Sequence, residues 1–206
     1  MATYSSIKYD FTPPAATVSA QVGAGAMTLI KELTASSSGT LSFVDGTSDV
    51  VLDNTYKTYI WKFINAHPSS EQVFQFQCST DGGSNYNLTV TSTAFYNYHQ
   101  EDDSAAGLTY YTSADQAQGT SFEWLTAAVD NANDSGASGE LWLFNPSNTT
   151  FIKNFIAVFD NTNSSPYQLQ LFKKGYFNTT SAIDAIQFKF ASGDIDTGTI
   201  KMYGIT

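Results

Sequence analysis

Apolar and polar residues alternate along most of the chain, which is the pattern of a half-buried β-strand. In Val73–Cys78, for example, Phe74 and Phe76 fall on one face of an extended chain and Gln75 and Gln77 on the other. Clusters of Gly, Asn, Asp and Pro separate such segments. The pattern predicts strands over residues 4–11, 27–33, 40–44, 59–64, 73–78, 86–90, 94–98, 141–144, 151–159, 169–172, 186–190 and 200–203.

Short strands at this spacing predict an all-β fold, specifically a jelly-roll-like antiparallel β-sandwich. Helical periodicity is confined to residues 120–129, where Phe122, Leu125 and Val129 could share one face behind an N-cap at Thr120 or Ser121. The same segment also fits a strand followed by a turn. The sequence therefore allows at most one short helix.

The first part of the chain differs in composition from the rest. Residues 12–26 are small and uncharged and rich in Ala, Gly and Pro, a composition that suits a linker better than a core element. We therefore expect residues 1–26 to form an N-terminal arm and linker, and residues 27–206 to form one β-sandwich domain.

Charge and composition exclude several classes of function. The net charge is −10, and all nine basic residues are lysines, so the chain is not expected to bind nucleic acid. No apolar run approaches the roughly 20 residues that a membrane-spanning helix needs, so we expect no membrane insertion. Residues 1–10 lack the features of a signal peptide, which predicts synthesis in the cytoplasm. The single Cys78 has no partner for an internal disulfide.

The carboxylates Glu101, Asp102 and Asp103, next to His99, are the best metal-like cluster. Their spacing does not match a calcium-binding EF-hand loop, and the glycine which that loop requires is missing. A solvated acidic loop is therefore the preferred interpretation, as it is for Asp194 and Asp196. We predict no cofactor.

Tyrosines are more numerous than one small core requires. Tyr96, Tyr98, Tyr110 and Tyr111 lie close to His99 in the sequence, and together these five residues are the candidate binding surface. Tyrosine combines a rigid ring with a polar hydroxyl, so the set suits sugar stacking or a protein interface. Cross-strand aromatic pairing inside the sandwich explains the same residues equally well.

Two glutamates beside tryptophans are the only candidates for a catalytic pair. Glu123 precedes Trp124 and Glu140 lies near Trp142, as in many sugar-cleaving sites. The chain has two histidines, His67 and His99, and no G-x-S-x-G or phosphate-loop motif. We expect a protein without enzymatic activity, and a glycosidase is the least favoured alternative.

Five sequence blocks form a recognisable set. They are residues 54–68 (NTYKTYIWKFINAHP), 81–87 (DGGSNYN), 139–150 (GELWLFNPSNTT), 175–180 (GYFNTT) and 198–205 (GTIKMYGI). Together they resemble virion structural proteins of tailed bacteriophages, especially aquatic phages, whose individual roles are largely uncharacterised. The resemblance implies a jelly-roll-like sandwich displayed on the particle, and it supplies no catalytic residues.

These observations favour a structural protein on the virion surface, most simply a capsid decoration or head-fibre protein. The alternative is a tail-fibre protein or a receptor- or glycan-binding module on the tail. The expected partners are other virion proteins, further copies of the chain (such as a trimer) and a glycan on the host surface.

Overall fold

The computed structural model describes residues 26–206 as thirteen strands joined by turns and irregular segments. The predicted strand over residues 4–11, and the arm apart from residue 26, lie outside the described residues. Residues 26–206 contain no helix, and so none that could span a lipid bilayer. The strands are β1 (Met27–Ser38), β2 (Leu41–Val44), β3 (Thr58–Pro68), β4 (Gln72–Ser79), β5 (Val90–Gln100), β6 (Ala106–Tyr110), β7 (Ala117–Gly119), β8 (Glu123–Val129), β9 (Ala137–Phe144), β10 (Lys153–Asn163), β11 (Tyr167–Phe177), β12 (Ala185–Phe190) and β13 (Ile195–Ile205).

Two antiparallel sheets of unequal size make up the fold. The large sheet has nine strands in the order β1-β13-β3-β9-β10-β11-β5-β6, with β7 also paired to β5. The small sheet has four strands in the order β2-β12-β4-β8. Because successive segments often change sheets, as β1–β2 and β3–β4 do, the chain builds both layers together. The predicted jelly-roll-like β-sandwich is confirmed.

The structure decides one open alternative and corrects one local prediction. Residues 120–129 follow the strand alternative: Glu123–Val129 is strand β8, which pairs with β4. The pairing satisfies the backbone of β8, and Glu123, Leu125 and Val129 are all buried. Of residues 86–90, Val90 alone lies in a strand. Since β4 belongs to the small sheet and β5 to the large one, residues 80–89 form the connection between the sheets.

Aromatic rings fill the space between the sheets. Phe188 of β12 lies at their centre, with its ring centroid 4.9 Å from that of Phe63 and 6.2 Å from that of Trp61, both on β3. Phe76 of β4 meets Phe155 of β10 at 5.2 Å, edge to face. Edge-to-face and offset contacts of this kind add to the free energy that burial of the rings supplies.

Tyr59 carries a polar group into this core. Its hydroxyl donates a hydrogen bond to the carbonyl oxygen of Asp53 (2.9 Å) and accepts one from the backbone N–H of Asp53 (3.0 Å). Burial raises the pKa of Tyr59 to about 12, and the nearby carboxylate of Asp53 adds to the rise. Both effects disfavour the ionised phenol in the folded protein.

Tyr59 should therefore make the fold sensitive to alkali. The phenol ionises near pH 10 in the unfolded chain and near pH 12 in the folded one, so its contribution to stability is present below pH 10 and is lost between pH 10 and 12. The loss amounts to about 2–3 kcal/mol. We expect Tyr59→Phe to flatten the fall in unfolding free energy over this range, measured by urea denaturation. An alkaline profile identical to that of the wild type would contradict this assignment.

Candidate functional site

The structure divides the predicted tyrosine surface between the two faces of the large sheet. Tyr96 and Tyr98 lie on the inner face of β5, opposite Leu171 and Leu169 of β11. Tyr111 follows β6 and packs on the same buried cluster as Tyr96. Since residues alternate along β5, His99 lies on the outer face. Tyr110 also lies there, opposite Phe95 on the neighbouring strand.

The inner-face tyrosines belong to a longer row of rings, which we call the tyrosine ledge: Trp124, Tyr111, Tyr96, Tyr98 and Tyr167. Successive ring centroids along this row are 6.0, 4.8, 6.0 and 5.5 Å apart. All five side chains are half-buried, so each keeps part of its ring exposed. Burial raises the pKa of Tyr111. The ledge therefore offers ring faces and phenol hydroxyl groups in one continuous strip.

His99 and Tyr110 make separate contacts on the outer face. Nε2 of His99 lies 3.1 Å from a carboxylate oxygen of Asp103. The hydroxyl of Tyr110 donates to Asp115 at 2.5 Å. The structure thus brings together three of the five predicted surface residues and places these two elsewhere. Binding by any of the five stays a prediction.

The acidic residues Glu101, Asp102 and Asp103 form the tight turn between β5 and β6. Asp102 accepts a hydrogen bond from the backbone N–H of Ser104 at 3.0 Å, and Asp103 has a left-handed φ of 59°. In the second predicted acidic segment, Asp196 accepts a bond from Ser37 at 3.1 Å. Within residues 26–206, no three or more His, Cys, Asp or Glu side chains come together in an arrangement that could hold a metal ion.

Glu123 takes part in a buried ion pair. Its carboxylate contacts the ammonium group of Lys173, and both side chains are almost fully buried. The hydroxyl of Ser92 donates to the two carboxylate oxygens at 3.1 and 3.0 Å, while Lys173 also donates to the carbonyl of Ala114. Burial lowers the pKa of Lys173, and the charge of Glu123 opposes that effect. The pair joins the two sheets, since Glu123 is on β8 and Lys173 on β11.

The same network holds the loop that supports the ledge. The backbone N–H of Gln116 donates to Ser92 Oγ at 3.1 Å, and the N–H of Ser92 donates to the carbonyl of Gln116 at 2.9 Å. Tyr111 N–H donates to the carbonyl of Ala94 at 2.9 Å. These bonds fix residues 111–116 against β5, and with them the position of the Tyr111 ring.

The two glutamates considered as a glycosidase pair lie on opposite sides of the large sheet. Glu123 is enclosed between the sheets. Glu140 is on the outer face of β9, where it accepts hydrogen bonds from Lys62 (3.3 Å) and from the indole N–H of Trp142 (2.9 Å). A glycosidase needs two carboxyl groups that flank one glycosidic bond. These two cannot form such a site.

The outer face of the large sheet carries a continuous strip of apolar side chains. In one row, the strand register aligns Leu29, Tyr203, Ile60, Trp142 and Ile156 across β1, β13, β3, β9 and β10. In the next, it aligns Val158, Phe172, Phe95 and Tyr110 across β10, β11, β5 and β6. We call these nine residues the apolar band. Ile156 and Val158 join its two rows, so the band crosses the sheet from edge to edge.

The centre of the band is not flat. Two shallow depressions of about 370 and 140 Å³ lie on either side of Lys174, and both are bounded by Ile156 and Thr93. Phe95 and Phe172 stack in parallel beside the smaller one, with ring centroids 5.0 Å apart. Ile156 is 45% exposed and Phe95 41%, both high values for large apolar side chains. The outer face therefore combines exposed apolar groups with one central cation.

Sequence reasoning missed Trp124 and Tyr167 as members of the ledge, and it missed Lys173. One signal for Lys173 was present: the alternation of Leu169 and Leu171 continues to residue 173 and places that lysine on the inner face. A lysine in such a position needs a buried acidic partner.

Comparisons with known proteins give little guidance. No protein-family model and no curated protein matches the chain. Among solved structures, a structural-genomics protein of unknown function from Bacteroides ovatus aligns with a TM-score of 0.29 and 4% identity. The alignment covers 48% of this chain and 44% of that protein. So weak a likeness supports no conclusion about fold or function.

The buried ion pair should respond asymmetrically to mutation. Lys173→Met leaves the Glu123 carboxylate buried without its cation, so we expect the unfolding free energy to fall by about 3–5 kcal/mol in urea denaturation. The double variant Lys173→Met/Glu123→Leu should regain a large part of this loss. Lys62→Met is the matched control, because it breaks an exposed pair with Glu140 and should cost no more than about 1 kcal/mol. Equal costs for the two single variants would contradict the assignment.

Proposed function

We propose that the protein is a non-enzymatic structural protein of the bacteriophage virion surface. We favour a capsid decoration or head-fibre protein, and a tail-fibre protein is the alternative. The observation that carries the proposal is the position of the sequence blocks that resemble phage virion proteins. The three longest, residues 54–68, 139–150 and 198–205, cover most of β3, β9 and β13.

These three strands are neighbours in the large sheet, in the order β13-β3-β9. They contribute Tyr203, Ile60 and Trp142 to the apolar band, where Ile60 is buried and the two aromatic side chains are half-buried. Three of the five blocks that resemble virion proteins therefore lie in strands that contribute to the band. A sheet face with exposed apolar side chains is suited to contact with another protein.

Charged residues lie beside the band and are paired within the sheet. Glu32 and Lys201 lie 3.0 Å apart on β1 and β13, and Lys62 and Glu140 lie 3.3 Å apart on β3 and β9. Pairs of this kind add little free energy in water but penalise partners whose charges do not match. The expected partner on this face is another virion protein or a further copy of the chain.

Incorporation into particles tests this role. Ile156→Lys places a second cation beside Lys174 at the centre of the band, so we expect the amount of protein on purified virions to fall at least about tenfold, because desolvating a charge opposes assembly. Quantitative mass spectrometry measures how many copies of the protein each particle carries. Particle imaging shows whether the protein lies on the head or on the tail. Phe151→Lys is the control, since Phe151 is 67% exposed in the connection between β9 and β10.

Two results would contradict the proposal. Wild-type protein absent from purified virions would exclude a virion role. Normal occupancy of the folded Ile156→Lys variant would exclude the apolar band as the contact face.

The tyrosine ledge favours a second candidate function, the binding of a host-surface glycan. Five partly exposed rings in a row provide faces on which pyranose rings can stack, with hydroxyl groups at their margins. Tyr98 is well placed for this purpose: its ring lies over Gly107, so that β6 leaves it room. A structural virion protein can carry such a site as well.

Ledge variants test this second function. Tyr98→Ala and Tyr167→Ala each remove one ring from the same end of the ledge, so we expect at least about tenfold weaker binding to whole host cells and to any glycan that an array identifies. His99→Ala, on the opposite face of the same strand, should leave binding unchanged. Equal binding by wild type and both tyrosine variants would exclude the ledge.

A further inference from the structure

The buried network around Glu123 and Lys173 brings an amine and a carboxyl group together in one enclosed site. The ammonium group of Lys173 contacts the carboxylate of Glu123, and the two side chains are 1% and 0% exposed. An amine and a carboxyl group can condense to an amide with the loss of one water. The two residues lie 50 positions apart in the chain, on β11 and β8, so an amide between them would cross-link the two sheets.

The fold holds the two groups at reacting distance. Nζ of Lys173 donates to Oε2 of Glu123, and the carboxyl carbon is one bond beyond that oxygen. This places nitrogen and carbon close to the separation of about 3–3.5 Å from which bonds form. Groups held in this way react as though one of them were present at roughly 10⁵–10⁸ M. The burial of both side chains also excludes bulk water, which would favour hydrolysis of an amide.

Burial also favours the reactive forms of the two groups. Two opposite charges that leave water lose hydration energy that their mutual attraction only partly restores. Burial lowers the pKa of Lys173, although the carboxylates of Glu123 and Asp115 oppose that effect. Transfer of one proton from the ammonium group to the carboxylate gives a neutral amine with a free lone pair and a neutral carboxylic acid.

Two neighbouring groups orient the reactants. The carbonyl oxygen of Ala114 accepts a hydrogen bond from Nζ of Lys173 and so fixes the direction of one N–H bond. The hydroxyl of Ser92 lies 3.1 and 3.0 Å from the two carboxylate oxygens of Glu123 and donates to them. A donor at this position stabilises the negative charge that develops on oxygen when an amine adds to the carboxyl carbon.

We propose that Lys173 and Glu123 condense to form an isopeptide bond. The lone pair of the Lys173 amine forms a C–N bond to Cδ of Glu123, and one C–O bond of the carboxyl group breaks. The departing hydroxyl group takes up the proton that the nitrogen loses, so one water leaves and the reaction balances without a co-reactant. The product joins β8 to β11 and leaves no charge on either side chain.

Mass spectrometry of the intact, denatured protein tests the proposal. We expect the wild type to be lighter than the mass of its sequence, with or without Met1, by about 18 Da, the mass of one water. Protease digestion should give one branched peptide that joins the segments containing Glu123 and Lys173. Lys62→Met is the matched control, because it removes the lysine of the exposed pair with Glu140 and should keep the mass loss.

The outcome does not depend on a variant that folds, because the mass and the branched peptide are measured on the wild type. Lys173→Met should have the full mass of its sequence. The proposal is overturned if the wild type has its full sequence mass, if Lys173→Met keeps the mass loss, or if the lost water maps to a succinimide in the Asp-Gly pairs at 45–46 or 81–82. Neither the virion role nor glycan binding enters this measurement, so their failure would not affect it.

Discussion

The unequal size of the two sheets governs the rest of this structure. A sheet of four strands cannot cover the whole inner face of a nine-stranded sheet. The aromatic core around Phe188 therefore packs only against the part of the large sheet that the small sheet faces. Near β5 and β11, a second and smaller hydrophobic cluster lies under the tyrosine ledge and consists of Ala94, Ala114 and Leu171. The buried pair of Glu123 and Lys173 lies at this boundary and connects the last strand of the small sheet to the large sheet.

That arrangement places two surfaces of different chemistry on opposite faces of the large sheet. The outer face of the large sheet carries the apolar band, in which Leu29, Phe95, Tyr110 and Ile156 are exposed and Ile60 is buried. The part of the inner face near β5 presents the tyrosine ledge. The two surfaces differ in chemistry, because the band is mainly apolar whereas the ledge adds the hydroxyl groups of its tyrosines to the faces of its rings.

Much of the fold could be predicted because the period of side chains along a strand is a local property. The alternation in Phe74 and Phe76, and again in Ile186, Phe188 and Phe190, identified core strands correctly. Prediction stayed undecided where a local pattern had two solutions. Phe122, Leu125 and Val129 fit a helical face, yet the segment forms β8, because β4 supplies the pairing partner and Lys173 supplies the partner for Glu123.

By itself, the sequence determined the fold class, the strand-forming segments and the inward-facing aromatic residues, since these depend on the order of neighbouring residues. It also singled out tyrosines and acidic residues as candidates for a binding surface. Only the tertiary structure decided how they are grouped. It separated Tyr110 and His99 from Tyr96 and Tyr98, and it joined Tyr167 and Trp124 to the ledge. It also placed Glu140 and Glu123 on opposite sides of one sheet. Strand order and register determine this grouping. Both depend on contacts between residues that are far apart in the chain.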